Sequence, residues 1–187
     1  LHKLPVKILA SGGGMVYAPL GPSHTAPDDL AHMLAIPNLD VFAPCDAHEM
    51  RELLHLEHFK KSPAYVRFGK GGEEIVSDKL NSSENENIKY LGKESAELVI
   101  VTTGVLAQAA YKAVNEFLIG EDVLLIHITQ LNIDFSQFLQ IALRNKKKIL
   151  VVEEHQDRGG LLTQILHFCF RSNLSIRNLR HLSLGFG

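Results

Sequence analysis

The chain has 187 residues, 45% hydrophobic and 21% charged, long enough to bury about 70% of its unfolded surface without disulfide staples. Nineteen Lys and Arg against 21 Asp and Glu leave a net charge of -2, which argues against a general nucleic-acid or anionic-membrane binder, because such surfaces need excess positive charge. Cys45 and Cys169 stand far apart with no CxxC or Cys-His spacing, which excludes a disulfide framework and a structural zinc site of the usual local kind and suits two reduced thiols of a cytoplasmic protein.

Short β-branched apolar runs alternate with amphipathic stretches. Residues 6–10 read as a strand. A helix over 27–35 carries Asp28 and Asp29 in its first turn, where the helix dipole favours them. Asn38 punctuates, and Val41-Phe42-Ala43 is a second strand stopped by Pro44. Asp46 is a good N-cap for the next helix, with Glu49 three residues on as in a capping box, and Met50, Leu53, Leu54 and Leu56 form its apolar face. Residues 64–68 read as a third strand. Residues 69–95 change character: Gly69-Lys70-Gly71-Gly72 is flexible and Asn81 to Asn87 is polar, so residues 79–93 read as a linker, with room for a hairpin or an isolated strand near 88–91.

Beyond it the pattern becomes regular: strands at 98–101, 123–126 and 148–152, a last one near 179–184, and helices over 105–118, 136–144 and 159–170. Strands that are apolar throughout and separated by helices imply parallel sheets covered on both faces. The expected fold is α/β: two parallel-sheet three-layer units, residues 1–78 incomplete and residues 94–187 Rossmann-like. No apolar run approaches the roughly 18 residues of a membrane span, and no signal peptide is visible. The start at Leu1 and the end at Gly187 read as those of a fragment.

Few residues stand out chemically. Ser11-Gly12-Gly13-Gly14 follows a strand but lacks the P-loop ending and the dinucleotide spacing, and reads as a loop that lets the backbone pass closely. Gly21-Pro22-Ser23-His24 is a stiff turn that can hold an imidazole at a loop tip. His24 there is either one ordinary loop histidine among ten or a group that bonds a reacting hydroxyl and shuttles its proton. Glu153-Glu154-His155 lies at a strand end, followed by Gly159-Gly160. It can bind metal or act as a base, but without a third ligand at fixed spacing it reads better as a helix cap that meets a neighbouring domain.

Taken in order, these stretches resemble the transketolase family of thiamine diphosphate enzymes. Gly21-Pro22-Ser23-His24-Thr25 resembles the family's GPTH turn, and Ala35-Ile36-Pro37-Asn38-Leu39 its "IPN" turn. Pro44-Cys45-Asp46-Ala47-His48-Glu49 resembles "PADANE", and Pro63-Ala64-Tyr65-Val66-Arg67 the strand before its phosphate-binding arginine. Residues 99–104 resemble the start of its C-terminal domain, and Val152-Glu153-Glu154-His155 with Gly159-Gly160-Leu161 resembles "VEEH…GGLG". The order holds over nearly the whole chain.

The resemblance implies that residues 1–78 are the latter part of the pyrimidine-binding domain and residues 94–187 a truncated C-terminal domain used for packing and dimerisation. It implies thiamine diphosphate and magnesium as cofactors, with the GDG…N motif and the activating glutamate outside this chain, so that the segment alone is inactive. The implied reaction moves a two-carbon ketol unit between sugar or keto substrates. The implied partners are an N-terminal diphosphate-binding domain or subunit and a second copy of the chain. His24 inherits the family's substrate-facing histidine, while Ser23, Arg67 and Lys70 are expected to bind substrate. Where the family has a histidine and an aspartate, this chain has Gly12 and Leu20, and the family's arginine falls on Lys70, which keeps charge but loses the bidentate fork. These departures suit a less hydroxylated or unphosphorylated substrate. Deoxyxylulose-phosphate synthase, a 2-oxo acid dehydrogenase β subunit and a non-catalytic dimerising subunit are the alternatives.

Overall fold

The computed structural model describes residues 4–117, 122–143, 148–176 and 178–184. The first unit is a parallel sheet of β1 (Lys7–Ser11), β2 (Asp40–Phe42) and β3 (Ala64–Phe68) in the order β1-β3-β2. Alternation along β2 and β3 sends side chains to opposite faces. Phe42, Ala64 and Val66 pack on Leu53 of α2 (Ala47–His55) and Phe59 of α3 (Glu57–Lys61). Val41 and Tyr65 pack with Leu30 of α1 (Asp29–Leu34). Among the described residues strand β1 is paired along one edge only, and its own Ile8 and Leu9 are 44% and 54% exposed. A strand that is apolar on both faces suits the interior of a sheet, and here its outer edge is open.

The second unit is a six-stranded sheet ordered β4-β5-β7-β6-β8-β9, from β4 (Asn81–Ser82), β5 (Ile88–Leu91), β6 (Leu98–Thr102), β7 (Val123–Ile128), β8 (Lys148–Val152) and β9 (Leu179–Leu182). Strands β7, β6, β8 and β9 are mutually parallel. Ile100, Val123 and Leu125 face Ala110 of α4 (Leu106–Lys112). Val99, Val101, Ile126 and Val151 face Phe138 of α5 (Ser136–Leu143) and Leu161, Ile165 and Cys169 of α6 (Leu161–Arg171). This is a three-layer arrangement. The expected continuation of α4 to 118 runs into a wider π turn over Ala113–Phe117, and residue 118 lies outside the described residues.

Two expectations change. Residues 79–93 are not a free linker: β4 and β5 form an antiparallel hairpin that joins the second sheet through β5 and β7. Ile88 is 2% exposed and anchors the hairpin, while β4, at the edge, stays polar and exposed and so resembles a linker in sequence. The second sheet is consequently parallel-dominated rather than wholly parallel. The two units also share packing. The outer edge of β2 pairs with the segment after β7, through Ala43 N–H to Thr129 O (2.7 Å) and Leu131 N–H to Val41 O (2.8 Å), and a single core runs from Leu30, Val41 and Tyr65 into Val99, Ile126 and Val151. No helix among the described residues is long and apolar enough to cross a membrane.

Candidate functional site

His24 sits on a short 3-10 turn, Pro22–His24, entered through Gly21 at φ +89°, a conformation that favours glycine. The turn is closed by His24 N–H to Gly21 O (3.0 Å) and by the Thr25 hydroxyl to Pro22 O (3.0 Å). The ring is exposed, and its Nδ1 lies 3.0 Å from Ser23 Oγ. Nε2 is left without a partner among the described residues, free to face a ligand. The base of this excursion is a two-bond bridge between Gly14 and Ala26, with N···O distances of 3.1 and 2.9 Å.

The three glycines are needed because their surroundings are full. A Cβ at Gly12 would run into the Tyr17 ring, one at Gly13 into the Arg67 side chain, and one at Gly14 into Arg67 and the Glu154 carboxylate. The close-passage reading of this loop is therefore what the structure displays. It also leaves no phosphate cradle: the cavity bounded by Gly13, Arg67, Thr103, Gly104 and Glu154 is about 20 Å³, room for one water. Nor does the chain contain a GDG motif. The residues present do not fit a diphosphate and its metal, which would have to be held elsewhere. The absence of a histidine at position 12 has the same cause, since Tyr17 fills that space.

Arg67 corrects an expectation. It is 7% exposed rather than turned to an open cleft. Its guanidinium donates to Glu154 O (2.6 Å) and faces Asp29 Oδ1 (3.3 Å) and Glu154 Oε2 (3.9 Å). Those two carboxylate oxygens are buried without hydrogen-bond partners, and the cation beside them compensates their charge. Asp29 Oδ2 accepts from Tyr65 Oη (2.7 Å), and Glu154 Oε1 from Met15 N–H (2.9 Å). Burial, and then Asp29, push the Tyr65 phenol above its ordinary range. Arg67 thus locks the two units together under the glycine strap. Lys70 is exposed, in the loop that turns through Gly71 and Gly72 at φ +95° and +88°. No hydrogen bond or ion pair among the described residues joins His24 to Arg67 or Lys70. Of the four expected residues, the structure brings together only Ser23 and His24.

The Glu153-Glu154-His155 segment caps a helix and meets the other unit. Glu153 accepts from Leu161 and Leu162 N–H at the start of α6 (2.6 and 3.1 Å) and lies 2.9 Å from His181 Nε2. His155 Nδ1 donates to Gln156 O (2.9 Å), so Nε2 is free to accept from Ala31 N–H (3.3 Å).

A second polar junction escaped the sequence reading. Asp46 caps α2 through Glu49 N–H (2.9 Å) and accepts from Val76 N–H, Ser77 N–H and Ser77 Oγ (2.8–2.9 Å). Burial raises its pKa, and these donors more than offset that, holding it at about 2. Glu49 does not reach back to the cap's own amide as a capping box would. It accepts instead from Cys45 N–H (2.7 Å), from the Thr129 hydroxyl (2.5 Å) and from His127 Nε2 (2.9 Å), the last two on the other unit. Lys89, 5% exposed, reaches Glu52 of α2 in the same region. The sequence carried a local signal for the cap but none for partners about 80 residues away.

The fold and junctions define an α/β protein of two units fused through one core, with a histidine presented on a Gly-Pro turn. Residues 1–72 match the transketolase pyrimidine-binding domain. Across 83% of its length the chain is 29% identical to one of the subunits of an apulose-4-phosphate transketolase of Phocaeicola vulgatus, covering 50% of it. Across 90% it is 31% identical to 1-deoxy-D-xylulose-5-phosphate synthase of the same organism, covering 27%. A solved split-gene transketolase, described as an inactive β4 tetramer, superposes on 98% of the chain with a TM-score of 0.77 and 26% identity, the match spanning 58% of that chain. A transketolase from Leishmania mexicana, at 19% identity and a TM-score of 0.68, shares the fold. Residues 1–72 thus match that family's pyrimidine-binding domain, and nearly the whole chain is similar to the C-terminal portion of transketolase-family proteins. The chain spans about half the length of the first curated relatives it matches.

Proposed function

We propose that the chain is the C-terminal section of a thiamine diphosphate- and magnesium-dependent enzyme of the cytoplasm that transfers a two-carbon ketol unit between a ketose and an aldehyde. The observation that carries this reading is the match to a split-gene transketolase over 98% of the chain. When bound, thiamine diphosphate supplies the nucleophilic carbon and the electron sink. An N-terminal domain or subunit holds the diphosphate and the metal, consistent with the filled glycine loop here and with relatives described as a single transketolase subunit and as a split gene. The section alone is inactive and self-associates.

In this reading His24 is the catalytic residue. Ser23 holds Nδ1, and Nε2 donates to or accepts from a substrate hydroxyl, moving a proton as charge develops. Lys70, exposed on its glycine loop, meets a substrate phosphate where there is one. In the complete enzyme, His24→Ala lowers turnover by about 10²–10⁴-fold. Ketol-transfer turnover within threefold of the unmodified enzyme would sink this role. The 31% identity to a deoxyxylulose-phosphate synthase supports a second reading, distinguished by formation of 1-deoxyxylulose 5-phosphate instead of a ketol-transfer product. A complete protein with neither activity is a non-catalytic dimerising subunit.

A further inference from the structure

Outside the His24 region, one cluster carries three classes of metal ligand. A thiol, a carboxylate oxygen and an imidazole nitrogen of Cys45, Glu49 and His127 lie within 4.8 Å of one another, all buried. We propose that Cys45, Glu49 and His127 form a buried binding site for one thiophilic divalent cation of the zinc class, bridging the two units.

Four observations support it. The donor set is sulfur, nitrogen and oxygen, the mixture that a tetrahedral d¹⁰ cation takes. His127 is 0% exposed, yet its Nδ1 has no hydrogen-bond partner among the described residues, and an unpaired buried nitrogen calls for an unassigned ligand. Two further oxygens stand close: Thr129 Oγ1, bonded to Glu49 Oε1 at 2.5 Å, and Asp46 Oδ2, 3.5 Å from Cys45 Sγ. A cavity of about 200 Å³ reaches Glu49 and Thr129 and is also lined by the exposed Ser82 and Glu86, which gives a cation a route inward. The sequence conceals the site because its third ligand lies 78 residues beyond the second. The Cys45 position is alanine in the "PADANE" form of the motif, so helix α2 does not itself require the thiol.

Charge and protons balance. The aquo cation sheds waters, and Cys45 gives its thiol proton to solvent. His127 ligates as neutral imidazole through its unpaired Nδ1, keeping its Nε2–H bond to Glu49, while Glu49 also keeps Cys45 N–H and Thr129. One dication then meets one thiolate and one carboxylate, a neutral assembly with Asp46 alongside. An ordinary thiol is protonated at neutral pH and ligates as thiolate, so loading releases at least one proton per cation.

The test is a cobalt(II) titration of the complete protein after chelator treatment, followed by absorption and by proton release. The expected result is a thiolate-to-cobalt charge-transfer band in the near ultraviolet, with the strong visible bands of a tetrahedral site. It saturates at one cobalt per chain, is bleached by zinc, and is accompanied by acid release. The charge-transfer band is lost in Cys45→Ser and in Cys45→Ala, survives in Cys169→Ser, and needs at least tenfold more cobalt in His127→Gln. No thiolate band in the unmodified protein overturns the proposal, as does a band retained in a folded Cys45 variant. Visible bands without a thiolate band would report an oxygen-lined site elsewhere and would also overturn it.

Discussion

Replacing Glu49 should loosen the junction between the two units. Its carboxylate sits on α2 of the first unit, is 3% exposed, and receives three donors: Cys45 N–H at 2.7 Å, Thr129 Oγ1 at 2.5 Å and His127 Nε2 at 2.9 Å. Glu49→Ala leaves all three buried donors without their protein acceptor. One stranded buried donor costs about 1–3 kcal/mol. The three donors share one acceptor, so these losses overlap, and the expected destabilisation is about 3–5 kcal/mol. Glu49→Gln separates charge from connectivity. Its amide oxygen can take the place of Oε2, keeping Cys45 N–H and His127, and its NH₂ can donate to the Thr129 hydroxyl, which rotates to accept. Only the charge assistance is lost, about 1–2 kcal/mol. Urea unfolding at neutral pH reads both as shifts in midpoint at unchanged slope. An Ala variant within about 1 kcal/mol of the unmodified protein would refute the reasoning, and so would a Gln variant as unstable as Ala.

The same cluster sets an acid limit. Burial raises the pKa of Glu49, but His127 foremost, with Thr129 and the Cys45 amide, overcomes it and brings the carboxyl from 4.5 to about 2; Asp46 falls from 3.8 to about 2. Both folded values lie below the unfolded ones. The stabilisation is therefore complete above about pH 4.5 and is lost as pH falls toward 2. Urea midpoints should drop across that window, with a smaller drop in Glu49→Gln; an equal drop would remove Glu49 from the account. Gly13→Ala should destabilise by about 1–3 kcal/mol, because the added methyl runs into the buried Arg67 side chain. A melting temperature equal to that of the unmodified protein would show that Arg67 moves aside freely. Lys70→Ala in the complete enzyme should raise KM for phosphorylated substrates and leave unphosphorylated ones unchanged. An equal rise for both would assign Lys70 a role other than meeting phosphate.

Most of the fold was legible because it rests on short-range patterns. The strands β3, β6, β7 and β8 are mostly apolar runs, and that pattern survives when both faces are buried. Asp46 is a cap whose chief partner is three residues away. The hairpin of β4 and β5 was only half legible. Ile88 and Tyr90 carry a strand pattern, but Asn81 and Ser82 pair at the sheet edge with exposed side chains, and a polar edge strand looks like a loop. The mixed character of the second sheet follows from that one hairpin.

The candidate site was legible in its outline and opaque in its connections. A Gly-Pro turn can be read as stiff, and a run of three glycines as a close passage, because both are properties of the backbone itself. What the glycines pass was hidden: Arg67 lies 87 positions from the Glu154 it binds, and no periodicity links them. The connection bears on His24 all the same. Met15 N–H is held by Glu154 of the second unit, and Gly14 pairs with Ala26, so both ends of the 15–25 excursion are tied down where the units meet. Arg67 was expected at the substrate because its strand resembles the one before the family's phosphate-binding arginine. Its burial assigns it to this foundation, where a cation between Asp29 and Glu154 keeps the strap closed. The second unit therefore helps to hold the base of the loop that presents His24, and a change at Glu154 acts on that histidine through the backbone rather than through contact.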